Sequence, residues 1–463
     1  MLQPQSRAFT RTEQVMQALR ARIAAQRLTP GARLPSIRRM AEQMGVSKST
    51  VVEAYERLVG EGAVAARPGS GFYVNGGAEP QADSAAAVRD RAVDTYWMMH
   101  QSLAVRPDLL QPGCGWLPDD WLPAPALRRH LRALARDDAT DLVRYGPPAG
   151  FLALRRTLAR RLAASGIDAG PDDILLTDST MSAIDLACRL LLRPGDTVMI
   201  DDPCFYNFRS VLAVHGAQVA TVPYTAAGPD LAACEAVAAA AAPRLDITNA
   251  GLHNPTGACL APSTAHRLLK LADRFDFTIV EDDIFADFLP AAQPGLAALD
   301  GLERVIHVGG FSKTLSAATR CGFLAARPDR IAALTDLKLA TSMGNNDLAA
   351  RLVHALLVDG SYRRHVDAIR ARLAASRGRV LARLRALGLQ PWLEPEAGLF
   401  LWLSLPDGLD AEAVARRALA QGVVLAPGSV FSHGGGAAGF LRFNVGQCGD
   451  PRVFDVLAAA MAG

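Results

Sequence analysis

Hydrophobic and polar positions follow two regimes along the chain. In the first, apolar residues recur at helical spacing in short blocks. Val15, Leu19 and Ile23 predict a helix over residues 12–26, which Leu28-Thr29-Pro30-Gly31 ends. Ser36 caps a second predicted helix that runs to Met44 with Ile37, Met40 and Ala41 facing inward. Gly45 supplies a tight turn, and Ser47 caps a third helix, to about Val59, that buries Val51, Tyr55 and Leu58. Residues 64–74 predict two short strands around the tip Pro68-Gly69-Ser70-Gly71. In the second regime, from about residue 107, longer helical stretches (126–136, 151–164, 181–192, 262–274, 361–387) alternate with apolar runs (198–200, 219–222, 278–280, 305–308). That alternation predicts an α/β body built on a mainly parallel sheet. The stretch from Gly76 to about Arg91 has no periodicity and reads as a tether. The expected organisation is therefore a head at 1–75, a linker at 76–106 and a body at 107–463, with a large part to about 345 and a smaller C-terminal α/β part from about 346.

Composition narrows this picture. Half of the 463 residues are apolar and 21% are charged, which excludes wholesale disorder. No apolar run approaches the roughly 18 residues that a membrane helix needs. The polar N-terminus, carrying Arg7 and Arg11, lacks the apolar stretch of a signal peptide, so a cytoplasmic protein is expected. Seven cysteines at wide spacings, without a C-x-x-C, indicate neither a disulfide framework nor zinc, and no histidine pair has ligand spacing, so no metal is expected. Residues 1–75 hold ten Arg and one Lys against five Glu and no Asp, a net +6, which leaves −3 for the rest of a chain whose total is +3. A basic head on a slightly acidic body points to a nucleic-acid-binding module joined to something else. In the head, Ser47, Lys48, Ser49 and Thr50 stand at the start of the third predicted helix, where short polar side chains and free backbone N–H groups suit phosphates and base edges in a major groove. Arg38, Arg39 and Arg67 would flank them on the DNA backbone, with Ser36 and the wing residue Gly69 completing the expected contact set.

The body carries a second chemistry. In Gly309-Gly310-Phe311-Ser312-Lys313-Thr314 a lysine follows directly on a buried strand. A desolvated lysine loses pKa and becomes a nucleophilic amine able to form a Schiff base with an aldehyde. Upstream, Glu281-Asp282-Asp283 ends another strand, and a carboxylate there can pair with a protonated pyridine nitrogen. His253-Asn254-Pro255-Thr256-Gly257 is a turn whose asparagine can donate to a ring hydroxyl. Ser179, Thr180 and Met181 open a helix whose amides can cradle phosphate, and Arg320 can add a charged fork.

Leu34-Pro35-Ser36, the Gly-Val-Ser turn, Ala54-Tyr55-Glu56-Arg57-Leu58 and the Arg67-Pro68-Gly69-Ser70-Gly71 wing resemble the GntR-type winged helix–turn–helix over about residues 12–75. That resemblance implies binding to double-stranded operator DNA as a dimer. Residues 107–463 resemble a fold-type I, pyridoxal-5′-phosphate-dependent aminotransferase. The resemblance implies that Lys313 carries the cofactor Schiff base, Asp282 pairs with the pyridine nitrogen and Asn254 with the ring hydroxyl. It implies that Phe205 stacks on the ring and that Ser179, Thr180, Met181, Ser312 and Arg320 surround the phosphate. Tyr145 matches the tyrosine that reaches the phosphate of a neighbouring subunit, and Arg442 the arginine that clamps a substrate α-carboxylate. Two positions depart from the family. Ile284 stands where a tyrosine usually donates to the ring oxygen, and Gly310 where a serine or threonine often adds a phosphate hydroxyl; cofactor binding is expected to survive both. The two halves together resemble the MocR family of bacterial transcription regulators, which implies a head-to-tail homodimer whose body senses pyridoxal phosphate or an amino compound. Two alternatives stay open at this level: an active class I/II aminotransferase carrying a DNA-binding head, and a DNA-binding protein whose body is a cofactor-free scaffold.

Overall fold

The computed structural model describes residues 9–24, 28–29, 31–67, 70–75, 93–104, 106, 108–136, 143–291 and 293–463. The chain forms two compact units, 1–90 and 91–463.

In the first unit, α1 (Arg11–Ala24), α2 (Ile37–Met44) and α3 (Lys48–Gly60) precede an antiparallel hairpin of β1 (Val64–Arg67) and β2 (Gly71–Val74). The helix starts follow the caps read from sequence: Ser36 accepts from the Arg39 amide at 3.3 Å and Ser47 from the Thr50 amide at 3.1 Å. Each cap satisfies one of the amides a helix start leaves without an internal partner. Val15, Leu19, Met40, Val51, Tyr55, Leu58, Val64 and Val74 form one core. The Tyr55 hydroxyl donates to the Pro35 carbonyl at 2.8 Å, which ties α3 to the segment entering α2, and Phe72 packs edge-on against the Tyr55 ring at 5.0 Å. Ile23 and Ile37 are half-buried at the rim of this core. Gly69 and the rest of residues 68–69 lie outside the described residues.

The second unit begins earlier than the sequence pattern indicates. Helix α4 (Thr95–Leu103) lies inside the stretch read as linker, and its Trp97 and Met98 are fully buried against Tyr206, Trp402 and Phe431. The correction has a simple cause: the apolar residues of α4 are consecutive, 96–99, rather than spaced as a stripe. Residues 76–92 of the expected linker lie outside the described residues.

After α5 (Ala124–Leu134) and α6 (Leu152–Ala164), the chain enters an eight-stranded sheet ordered β3-β10-β9-β8-β7-β4-β5-β6. Its strands are β3 (Ile174–Thr177), β4 (Thr197–Asp202), β5 (Gln218–Thr225), β6 (Gly228–Pro229), β7 (Leu245–Thr248), β8 (Thr278–Asp282), β9 (Val305–Gly310) and β10 (Gly322–Ala325). The five strands β9, β8, β7, β4 and β5 are parallel; β10 runs antiparallel to both of its neighbours and β6 antiparallel to β5. Successive residues pack into different cores: Ile279 and Val305 on one side, Val280 and Ile306 on the other. A sheet buried on both faces reads as continuous apolar runs, which is why these strands were legible. The intervening helices are α7 (Thr180–Leu191), α8 (Asn207–Val214), α9 (Leu231–Ala241), α10 (Pro262–Phe275), α11 (Leu296–Asp300), α12 (Pro328–Ser342) and α13 (Asp347–Val358).

The long α14 (Ser361–Ala386) leads to a four-stranded antiparallel sheet, β11-β12-β14-β13, formed by β11 (Gln390–Pro391), β12 (Phe400–Ser404), β13 (Ala426–Pro427) and β14 (Phe440–Asn444). Ile369 and Leu373 of α14, Val414 of α15 (Ala411–Ala420) and Leu457 of α16 (Arg452–Ala462) pack on its apolar face. Among the described residues no helix is long and apolar enough to cross a membrane.

Candidate functional site

Segments leaving the C-terminal ends of β3, β4, β7, β8 and β9 converge on one cavity of about 200 Å³, the place where an open α/β sheet receives its ligand. Lys313, Asp282, Asn254, Phe205, Ser179, Thr180, Met181, Ser312, Arg320 and Arg442 all line it. Tyr145 does not. It is 86% exposed and lines a separate cleft with Asp178, Arg320 and Asn346.

Lys313 sits in the turn that follows β9. The neighbouring Thr314 holds that turn from two sides: its hydroxyl is 2.6 Å from the Tyr362 hydroxyl, and its carbonyl is 2.7 Å from His365 Nε2. Among the described residues, no ion pair or hydrogen bond engages the Lys313 amine. Burial, reinforced by the nearby Arg442 charge and only partly opposed by Asp282, lowers its pKa to about 8. Asp282, at the end of β8, is pushed up to about 6 by burial, although its carboxylate accepts from the Ile284 amide at 3.2 Å. Asn249 donates to the Asp282 carbonyl at 3.1 Å while its own buried Oδ1 has no partner.

Arg442 projects from β14 and is fully buried. Its guanidinium lies 4.4 Å from the Phe400 ring centroid and 4.7 Å from that of Phe431. It donates to Asn254 Oδ1 at 2.7 Å and to the Gly113 carbonyl at 2.6 Å, and its Nε is without a partner. No carboxylate pairs with it among the described residues, and burial lowers its pKa to about 10. A desolvated cation with neutral partners only is costly, and an incoming anion relieves that cost.

Gly115 separates the two cations. A Cβ on it would stand 3.7 Å from Lys313 Nζ and 3.9 Å from Arg442 Nη2, in the space between amine and guanidinium. Gly115, Asn249 and Trp116, which also line the cavity, are not singled out by any motif of the sequence. The Gly113-Cys114-Gly115 spacing was the one available signal, and it carries no periodicity.

The phosphate side is built by close backbone approach. Ser179 caps α7 and accepts from the Ser182 amide at 3.0 Å. A Cβ on Gly322 would come within 2.6 Å of the Ser179 backbone, so only glycine lets β10 lie this near the helix start. Gly310 has a local reason too: a Cβ there would meet Thr180 Cγ2 at 3.0 Å. Ile284 is buried and lines both this cavity and a second one of about 160 Å³ behind it, while Phe285 beside it also faces the cofactor side. Neither offers a hydroxyl. The unpaired amine, the orphaned amide oxygen and the helix start fit pyridoxal phosphate. Lys313 would bond its aldehyde carbon, Asp282 its ring nitrogen, and the start of α7 with Ser312 and Arg320 its phosphate.

In the first unit, Ser36, Arg38, Arg39, Ser47, Lys48, Ser49 and Arg67 are exposed and Thr50 is half-buried. The hydroxyls of Ser47, Ser49 and Thr50 form a chain with 2.8 Å links at the start of α3. Arg38 is engaged by Glu42 at 3.2 Å, and Arg67 lies over the Tyr73 ring at 4.5 Å.

Residues 117–461 match the aminotransferase class I and II family, and residues 11–74 match the bacterial regulatory proteins of the gntR family. The HTH-type transcriptional regulator YdcR of Escherichia coli (strain K12) is 31% identical over 443 residues, 93% of this chain and 94% of that protein. The probable rhizopine catabolism regulatory protein MocR of Rhizobium meliloti is 30% identical over 431 residues, 89% of this chain and 85% of that one. Among solved structures, the α-aminoadipate aminotransferase LysN of Thermus thermophilus, complexed with N-(5′-phosphopyridoxyl)-L-leucine, is similar with a TM-score of 0.71 at 26% identity, over 82% of this chain and 97% of that one. The chain therefore belongs to the MocR-type HTH transcriptional regulators, in which a GntR-family DNA-binding unit and a pyridoxal-phosphate-dependent aminotransferase-type body share one polypeptide.

Proposed function

We propose that this regulator works in the cytoplasm as a head-to-tail homodimer on double-stranded operator DNA, and that its body reports an α-amino acid or a close analogue. The observation that carries the reading is a pair of cations with no carboxylate partner among the described residues, the half-buried Lys313 and the fully buried Arg442, both within 4 Å of the Gly115 Cβ position. Pyridoxal phosphate, when bound, supplies an aldehyde carbon that captures primary amines. The chain's own residues do the rest. Lys313 would hold the cofactor through that carbon, and a pKa near 8 leaves a useful fraction of the free amine neutral for the purpose. Asp282 keeps a proton on the ring nitrogen, and Asn254 is shared between the ring hydroxyl and Arg442. Arg442 forks onto the carboxylate, and Phe400 and Phe431 keep its two faces dry. Tyr145, a large aromatic side chain left exposed beside the Arg320 cleft, supports a second copy covering it and receiving its hydroxyl at the phosphate.

A visible absorbance titration of the cofactor-loaded protein with amino acids tests this reading. Wild-type protein changes its spectrum on adding an α-amino acid. Arg442→Lys keeps the cofactor band but needs about tenfold more amino acid or worse, because an ammonium cannot reproduce the planar fork. An undiminished response in Arg442→Lys would show that the ligand is not held by its carboxylate.

A further inference from the structure

Helix α4 contributes two faces to the body. Trp97 and Met98 anchor it in the core, whereas Met99, Ser102 and Leu103 line the cavity that holds Lys313 and Arg442. Met99 and Leu103 stand one turn apart, so both present themselves along the same side of the helix. Leu103 is 71% exposed, an apolar side chain at the rim. The wall around the same space is continued by Trp116, Ile284 and Phe285. Lys313, Arg320 and Arg442 are the cations lining this cavity among the described residues. On the reading above, the first is committed to the aldehyde, the second to the phosphate and the third to the α-carboxylate. Asp282, the carboxylate among the described lining residues, is committed to the ring nitrogen, so a second carboxylate or a distal ammonium on the effector would meet methionine, leucine and aromatic carbon with no uncommitted partner of opposite charge from this chain.

We propose that α4 reads the effector's side chain through Met99 and Leu103, and that the effector is an α-amino acid with a single carboxylate and an apolar side chain. This inference rests on the assignment of Arg442 to the α-carboxylate. Selection works by exclusion as much as by attraction. Methylene groups gain modestly from the apolar wall, whereas an unpaired charge is rejected.

The test uses the cofactor-loaded full chain and two readouts, the visible spectrum and the rise in thermal midpoint, titrated with L-leucine, L-methionine, L-phenylalanine, L-aspartate, L-glutamate and L-lysine. Leucine, methionine or phenylalanine half-saturates both readouts at a concentration at least about tenfold below that of aspartate, glutamate or lysine. Leu103→Arg, a change at an exposed position, places a cation at the rim and improves glutamate relative to leucine by about tenfold, with little change in the thermal midpoint of the unliganded protein. Equal half-saturation by glutamate and leucine in the wild type overturns the inference while leaving the carboxylate reading intact. An unchanged leucine-to-glutamate ratio in Leu103→Arg overturns the role of α4. Silence toward every amino acid, with the cofactor band present, removes the carboxylate reading and this inference with it.

Discussion

Lys338 donates to the Pro148 carbonyl at 2.8 Å, the Leu176 carbonyl at 2.9 Å and Asn345 Oδ1 at 2.8 Å, whereas Lys313 donates to nothing among the described residues. Burial lowers both amines to about 8. Lys338 commits its amine to three oxygen acceptors while Lys313 leaves its amine to a ligand, so hydrogen bonding rather than pKa separates the two. The ordinary lysine value is 10.5, so between about 8 and 10.5 the folded chain binds fewer protons at Lys313 than the unfolded chain, and this group adds stability as pH rises through that window. The same shift governs cofactor loading. At pH 7.5 about a quarter of the Lys313 amine is neutral, against about a thousandth for an ordinary lysine. The rate at which stripped protein takes up pyridoxal phosphate should rise with pH to a midpoint near 8 and level off, and stopped-flow absorbance reads it directly. Borohydride reduction and peptide mapping should place the adduct on Lys313 and find none in Lys313→Ala. A midpoint above 10, or label on Lys338, would contradict this assignment.

At the scale of elements, Lys338 links three pieces of the body: α12, on which it stands, the end of β3 that feeds the phosphate loop, and the segment leading from Tyr145 toward α6. Asn346 extends the tie by donating its amide to Asp178 at 3.0 Å. Replacing Lys338 by methionine keeps the apolar stem and strands three oxygen acceptors. We expect a loss of about 2–4 kcal/mol in unfolding free energy, read by urea denaturation, at about 1–3 kcal/mol per buried acceptor left without a donor and partial rescue by water. An unchanged midpoint would show that these bonds add nothing net. Nothing in the spacing around residue 338 announced this role, because two of its three partners, Pro148 and Leu176, lie 190 and 162 residues away. The elements that were legible are those with a local cause. Ser36 and Ser47 announce helix starts, and the doubly covered strands β8 and β9 announce themselves by unbroken apolar runs. Short β3 and β10 were passed over, as was α4, whose burial depends on Trp402 and Phe431 far along the chain.

For the whole molecule, the distribution of charge matters more than its total. A basic unit of net +6 within residues 1–75 meets polyanionic DNA, while the remainder of the chain is slightly acidic. Each phosphate neutralised releases counterions, so affinity for operator DNA should fall linearly with the logarithm of salt concentration. Lys48 is exposed at the first position of α3, beside the hydroxyl chain of Ser47, Ser49 and Thr50. Lys48→Ala should weaken binding and reduce the magnitude of the salt slope by about 1, as measured by fluorescence anisotropy over a salt series. Arg38 should matter less, since Glu42 already neutralises part of its charge. A slope unaffected by Lys48→Ala would take that residue off the phosphate backbone.

The order of residues by itself determined the winged-helix unit and the alternation that builds the large sheet, and it pointed to Lys313, Asp282, Asn254 and Arg442 as the candidate residues that one cavity brings together. Each of these is written in a contiguous motif or a repeating pattern, which local geometry converts into structure. Tertiary structure decided what lies between them. Only packing places the Gly115 position within 4 Å of both Lys313 and Arg442, aligns Asn249 behind Asp282, and brings Met99 and Leu103 of α4 to the same cavity as Ile284 and Phe285. These groups come from segments separated by more than three hundred residues, as Gly115 and Arg442 are. A cavity is defined by what surrounds it, so its shape and its charge enter the chain only when those segments meet.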